Sequence, residues 1–188
     1  MDPKGPYRIA RHDRVNTTWC ALLKRAGYEA ELEKGVEANR KTRAADTWVE
    51  EWKEGKAAAH DWVITHALQK DVIEGKVAEV AGVLKGAEHK KMVKEKDVCE
   101  SRDVLFVPLA MDTLCGFGDQ ARSAIIQIAM QSRLRCRDLT GSLVAGSLRV
   151  AMLKGLARQL QAHDVWEEEE EEVCLSFEGR RFFIYSLI

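Results

Sequence analysis

The stretch Arg43–Thr65, RAADTWVEEWKEGKAAAHDWVIT, constrains the fold more than any other part of the chain. Trp48, Val49, Trp62, Val63, Ile64 and Thr65 favour strands, and Glu54-Gly55 supplies a tight turn between them. The stretch therefore reads as a β-hairpin. Centred on the turn, it sets Trp48 opposite Asp61 and Asp46 opposite Val63. Asp46 and Asp61 then share one sheet face as diagonal neighbours, roughly 7–8 Å apart at their backbones. Carboxylates at that separation can share one divalent cation, which takes hard oxygen ligands. The plainer reading is a solvated acidic face. A one-residue slip in either strand would send the two aspartates to opposite faces.

The chain's 188 residues suit one domain with a real core. A hydrophobic content of 46% with 31% charged residues belongs to a globular chain, not a disordered one. The formal net charge is -1, so nucleic-acid binding would need a local basic patch. No apolar run approaches the length of a membrane span. The N-terminal stretch MDPKGPYRIARHDR lacks the apolar core of a signal peptide. Cysteines at positions 20, 99, 115, 136 and 174 are odd in number and form no CxxC pair. Neither a zinc site nor a disulfide framework is indicated, and an intracellular, reducing compartment is the default.

Taken in order, residues 1–10 read as an unstructured lead-in. A helix from about Asp13 to Ala26 follows, with Val15, Trp19, Leu22, Leu23 and Ala26 as its apolar stripe and Gly27 as its stop. Tyr28–Lys34 alternates like an edge strand, with Tyr28, Ala30 and Leu32 inward; helix is the competing reading. Gly35–Lys41 is a polar connection to the hairpin. Beyond Thr65, Val72 to Leu84 suits a helix broken by Gly75 and Gly82. Ala87–Asp103 reads as a helix carrying Lys90, Lys91, Lys94 and Lys96. Val104–Met111 reads as a buried strand, with Pro108 pointing to an edge or a bulge.

Asp119 or a neighbour opens a helix bearing Ile125, Ile126, Ile128, Ala129 and Leu134. A second, from about Ser142 to Gln161, bears Leu143, Val144, Leu148, Met152, Leu153, Leu156 and Leu160. The two should form an antiparallel pair on the sheet. Glu167–Glu172 is an acidic run, and Val173–Ile188 reads as a hairpin tail around Glu178-Gly179. His60 falls on the opposite sheet face from Asp61 and reads as structural. Trp48 and Trp62 read as core, and Cys99 and Cys115 as small buried residues.

The order of helix, strand, acidic hairpin, lysine-bearing helix, buried strand and helix is that of the PD-(D/E)XK, or restriction-endonuclease-like, core. Local phrases are similar to the restriction-like endonuclease region of site-specific non-LTR retrotransposons and of related reverse-transcriptase-associated proteins. Arg11-His12-Asp13 with Val15 resembles the RHD/RHN phrase at the start of that domain. Gly27 through Glu33-Lys34 resembles its "G..P..EK" strand, with Ala30 where Pro is usual. Arg43–Asp46 resembles "R.PD", with Ala45 in place of Pro, and Asp61–Thr65 resembles "D..VT". Ala87-Glu88, Lys91, Lys94 and Cys99 resemble "AE..K..KY...C", with Glu95 replacing Tyr. Phe106–Gly118 resembles "F.PL..ET.GG.G", with Cys115 replacing a Gly. This last phrase is the most specific, and the likeness spans about residues 8–160.

The resemblance implies an α/β fold: a restriction-endonuclease-like core of a short mixed sheet flanked by helices, with a C-terminal helical pair. The nuclease domain would span residues 8–162, followed by an acidic linker over 163–172 and the tail over 173–188. The implied activity is Mg²⁺- or Mn²⁺-dependent nicking of DNA. Asp46 and Asp61 would hold the metal, with Glu33 as a further carboxylate near it, and Lys91 would be the catalytic lysine with Lys94 as runner-up. Arg11, His12, Lys90, Lys94 and Lys96 would contact nucleic acid. DNA is the implied partner, with a reverse transcriptase encoded elsewhere, and the implied setting is the nucleus. Two other readings stand beside this one. The first is a catalytically inactive nucleic-acid-binding remnant of such an element, which needs only the lysine face. The second is an α/β fold of other ancestry.

Overall fold

Helix α1 (Gly5–Ala26) begins well before Asp13, so part of the expected lead-in is helical. Pro6 sits in its first turn, where a missing N–H removes no intrahelical bond. The helix ends as expected at Gly27, whose φ of 96° lies in the left-handed region. Gly27 N–H donates to Lys24 O and Tyr28 N–H to Leu23 O, both at 3.0 Å, the paired bonds of a Schellman stop. The computed structural model describes residues 5–33, 45–67, 73–74 and 80–164. The Gly35–Lys41 connection, Arg43, the acidic run and the C-terminal tail lie outside the described residues, as does most of the stretch between Thr65 and Val80.

Strand β1 (Ala30–Leu32) is shorter than Tyr28–Lys34. It lies at one edge of a four-stranded mixed sheet, with β2 (Thr47–Lys53), β3 (Lys56–Thr65) and β4 (Leu105–Asp112) following in spatial order. β1, β2 and β3 pair antiparallel, and β4 runs parallel to β3. The β2–β3 turn is Glu54-Gly55, with φ of 54° and 73°. Both values are left-handed, as a two-residue hairpin matching the strand twist requires.

The hairpin register differs from the symmetric one. Lys53 pairs with Lys56 but Val49 pairs with Ala58, so Glu50, Glu51 and Trp52 stand against Ala57 alone, a shift of two residues. Trp48 therefore faces Ala59, not Asp61. With Thr47 opposite His60, the next step along brings Asp46 level with Asp61 instead of Val63. An even shift keeps every side chain on its face, so the two aspartates still share one.

Helix α2 (Val80–Glu100) is continuous where the sequence suggested a broken segment and then a separate helix from Ala87. Gly82 and Gly86 cost it little, because Val83, Leu84, Glu88 and Cys99 are buried along its length. It supplies the crossover that a parallel β3–β4 pair demands. Pro108 lies in β4 at the sheet edge, paired with Asp61, as a strand proline should.

Two helices close the fold, α3 (Asp119–Leu134) and α4 (Gly141–Asp164). They touch each other, but α3 packs on β4 while α4 packs chiefly on α1, so the expected pair docked on the sheet is a layer built around α1. Ile126, Leu134, Leu143, Leu153 and Leu160 are exposed, because each helix buries only one stripe of its apolar residues. No helix among the described residues is long and apolar enough to cross a membrane.

The sheet thus has a core on each face. The larger lies against α1, α3 and α4 and includes Trp19, Trp62, Leu109, Ile128 and Leu148. The smaller lies against α2 and consists of Ala45, Ala59, Cys99, Val104 and Phe106, with Trp48 and Met92 packed on it. Along β3, alternation sends Ala58, His60 and Trp62 to the large core and Ala59 and Asp61 to the α2 side.

Candidate active site

Asp61 is a buried carboxylate on the α2 side of β3, and the helix above it carries its partner. Lys91 Nζ donates to Asp61 Oδ2 at 2.6 Å. Asp46, in the bend just before β2, stands level with Asp61 on the same face, close enough for the two carboxyls to interact directly. Three of the residues named from the sequence, far apart in the chain, therefore meet at one point.

Two adjoining carboxylates in a half-closed site cannot both ionise cheaply. Burial, and then the charge of Asp46, pushes the Asp61 carboxyl up to about 7, against the opposing pull of Lys91. Asp46 goes the other way: burial would raise it, but bonding to His12 and the charge of His12 hold it below the usual carboxylate range. Lys91 is one of two cations beside the pair.

His12 is the other. It lies in the middle of α1, and its Nε2 is 3.0 Å from Asp46 Oδ2 and 3.1 Å from the Trp62 carbonyl oxygen. The bond to Asp46 raises its pKa to about 9, so at neutral pH the imidazole is protonated, and its single Nε2–H is shared between the two oxygens. Trp62 N–H in turn donates to Asp46 Oδ2 at 2.7 Å. One turn along the same helix, Asn16 Nδ2 donates to Asp46 O at 2.9 Å, and its Oδ1 accepts from Thr47 Oγ1. Thus α1 grips Asp46 twice, at its carboxylate and at its carbonyl.

The resemblance makes His12 a contact to nucleic acid, and the sequence alone gives Asn16 no role. A signal existed: His12 and Asn16 are four apart on the stripe that continues through Trp19 and Leu23, where polar residues need an inward partner.

The remaining residues scatter. Glu33 donates its backbone N–H to Asp46 O at 2.9 Å, while its side chain is exposed. Among the described residues no three His, Cys, Asp or Glu side chains converge as a metal-ligand set. Arg11 turns away from the site, donating to Gln159 Oε1 at 3.1 Å and packing over Gly155 of α4. Lys94 and Lys96 are exposed, paired to Glu95 at 2.8 Å and Glu100 at 3.4 Å. Lys90 is exposed on the same helix.

Several phrases noted in the sequence have structural work. Buried Glu88 accepts from Ala110 N at 3.4 Å and from Gln120 N and Ala121 N at 3.3 Å, capping α3, whose N-cap Gly118 makes no side-chain cap bond. A Cβ at Gly118 would collide with that carboxylate. One at Gly116 would collide with Asp112, which accepts from Leu114 N at 2.7 Å and Gly116 N at 2.9 Å. Cys115 has a φ of 68°, a conformation that glycine adopts without strain. Ala45 is buried in the small core.

Chemically, Asp46 and Asp61 offer hard carboxylate oxygens, with His12 and Lys91 as the cations beside them. Such a donor set fits a divalent cation. Compared with family models and with curated proteins, the chain matches none.

Proposed function

We propose that the protein is a divalent-metal-dependent endonuclease with a restriction-endonuclease-like core, cutting one strand of DNA. The convergence of Asp46, Asp61 and Lys91 carries this reading. The order α1, β1, the acidic hairpin, α2, β4, α3 supports it, being the order the resemblance implies.

Asp46 and Asp61 would hold Mg²⁺ or Mn²⁺, which when bound polarises the scissile phosphate and acidifies a water. Lys91 favours the ionised form of Asp61 through their contact, and its ammonium offsets charge developing on the phosphate. His12 and the Trp62 N–H keep the Asp46 carboxylate from rotating. Lys90 and Lys94, exposed on the same helix, lie where phosphates would arrive. A nick made this way leaves a 3′ end, which a reverse transcriptase encoded elsewhere would use as primer.

The test is nicking of supercoiled plasmid with and without Mg²⁺, wild type beside Asp61→Asn. Metal-dependent nicking by the wild type that the variant lacks is the expected result. Folded wild-type protein that leaves plasmid intact in Mg²⁺ and in Mn²⁺ overturns the enzyme. A salt-dependent DNA titration then distinguishes a binding remnant from a fold that does not engage DNA.

A further inference from the structure

The strongest relationship the resemblance does not account for is the triangle formed by His12, Asp46 and Trp62. His12 Nε2 lies 3.0 Å from Asp46 Oδ2 and 3.1 Å from Trp62 O, and Trp62 N donates to the same Oδ2 at 2.7 Å. One carboxylate oxygen thus takes two donors, and both the N–H and the C=O of a single residue are engaged. Trp62 directly follows Asp61 in β3, so the triangle ties together the two backbone positions that carry the acidic pair.

Nothing about packing requires this arrangement at residue 12. The apolar stripe of α1 is anchored by Val15, Trp19, Leu23 and Ala26, all fully buried, whereas His12 is only half-buried. Asn16 already ties α1 to the start of β2 through Asp46 O and Thr47. What His12 adds is control over the orientation of a carboxylate. Without it, the Trp62 N–H alone would hold Asp46 Oδ2, and the Trp62 carbonyl would lose the imidazole.

We propose that His12 is a positioning residue of this centre, holding the Asp46 carboxylate and the Trp62 peptide group in the one geometry that accepts a divalent cation. The inference rests on the nuclease reading and extends it to a residue on a different layer of the fold. Groups that orient a ligating carboxylate are worth on the order of 10–100-fold in metal affinity.

The test uses the full chain and MnCl₂ alone as probe, with binding followed by calorimetry and plasmid nicking measured in parallel. His12→Phe keeps the ring volume and removes the donor. It should weaken Mn²⁺ binding about 10–100-fold and lower kcat, leaving KM for plasmid unchanged. His12→Gln carries a donor near the position of Nε2 and should recover most of both, a rescue that a purely structural role would not give. His12→Phe that binds Mn²⁺ and nicks as the wild type does overturns the role of His12 while the nuclease reading stands. Wild type that neither binds Mn²⁺ nor nicks overturns both. If His12→Phe does not fold, the wild type still decides: the His12 Nε2 ¹⁵N resonance should shift on Mg²⁺ titration, and a resonance that stays put overturns the proposal.

Discussion

Lys91 reaches from α2 to donate to Asp61 Oδ2 at 2.6 Å, placing a cation on the aspartate that burial and Asp46 push toward neutrality. Lys91→Met removes that cation and leaves the stem. The Asp61 carboxyl, raised to about 7 with Lys91 present, should rise further without it. Carboxyl ¹³C shifts followed against pH read this directly, and an unchanged Asp61 midpoint would show that the contact does not exist in solution. Nicking by Lys91→Met should fall by about a hundredfold or more. Lys91→Arg keeps the charge and should preserve the low side of the Asp61 shift.

Glu88 and Gly118 are coupled, because the carboxylate that caps α3 occupies the space where a Cβ at Gly118 would stand. Glu88→Ala takes the acceptor from two buried backbone N–H groups, of Ala110 and Ala121, and from the half-buried one of Gln120, and a loss of about 2–4 kcal/mol is expected. Gly118→Ala should also destabilise, by collision. Together the two should cost less than their sum, since removing the carboxylate opens the room the methyl needs. Urea unfolding of the four proteins gives the coupling, and strict additivity would mean the cap is not where the geometry puts it.

Local chemistry was legible in the chain; tertiary accommodation was not. The Glu54-Gly55 turn could be read because a two-residue hairpin needs left-handed backbone at both positions and Gly55 supplies one. The face shared by Asp46 and Asp61 could be read because strand period is two and survives an even shift. The shift itself could not, since three β2 residues set against Ala57 leave no compositional mark. Lys91 was named through the resemblance, and its contact with Asp61 is made only when α2 folds back over β3. His12 and Asn16 escaped because their partner, Asp46, lies 30 or more residues along the chain and is met only once α1 crosses the sheet end.

Glu54 holds a φ of 54° without the freedom of glycine, at an exposed turn. Asparagine tolerates that conformation far better and pairs with a following glycine in hairpins of this kind. Glu54→Asn should therefore stabilise the fold by about 0.5–1 kcal/mol, leaving the distant Asp46–Asp61 pair untouched. Thermal unfolding reads the gain. A lower midpoint would contradict the left-handed turn.

His60 sets the acid limit of the fold. It is fully buried in β3, its Nδ1 accepts from Trp19 Nε1 at 3.0 Å, and its ring stands edge-on to Trp52 at 4.5 Å. Accepting at Nδ1 leaves that nitrogen unprotonated, so the ring is neutral with its proton on Nε2, which has no hydrogen-bond partner among the described residues. Burial holds its pKa down at about 3, against 6.5 when exposed. Below 6.5 the unfolded chain takes up a proton that the folded chain refuses until about 3, so stability from this residue is complete above 6.5 and is lost as pH falls across that window. Unfolding free energies measured from pH 7 to pH 4 should decline accordingly, and the His60 ring resonances should not move until the protein unfolds. A His60 resonance that titrates near 6.5 in folded protein would place the ring in water and remove this source of acid sensitivity.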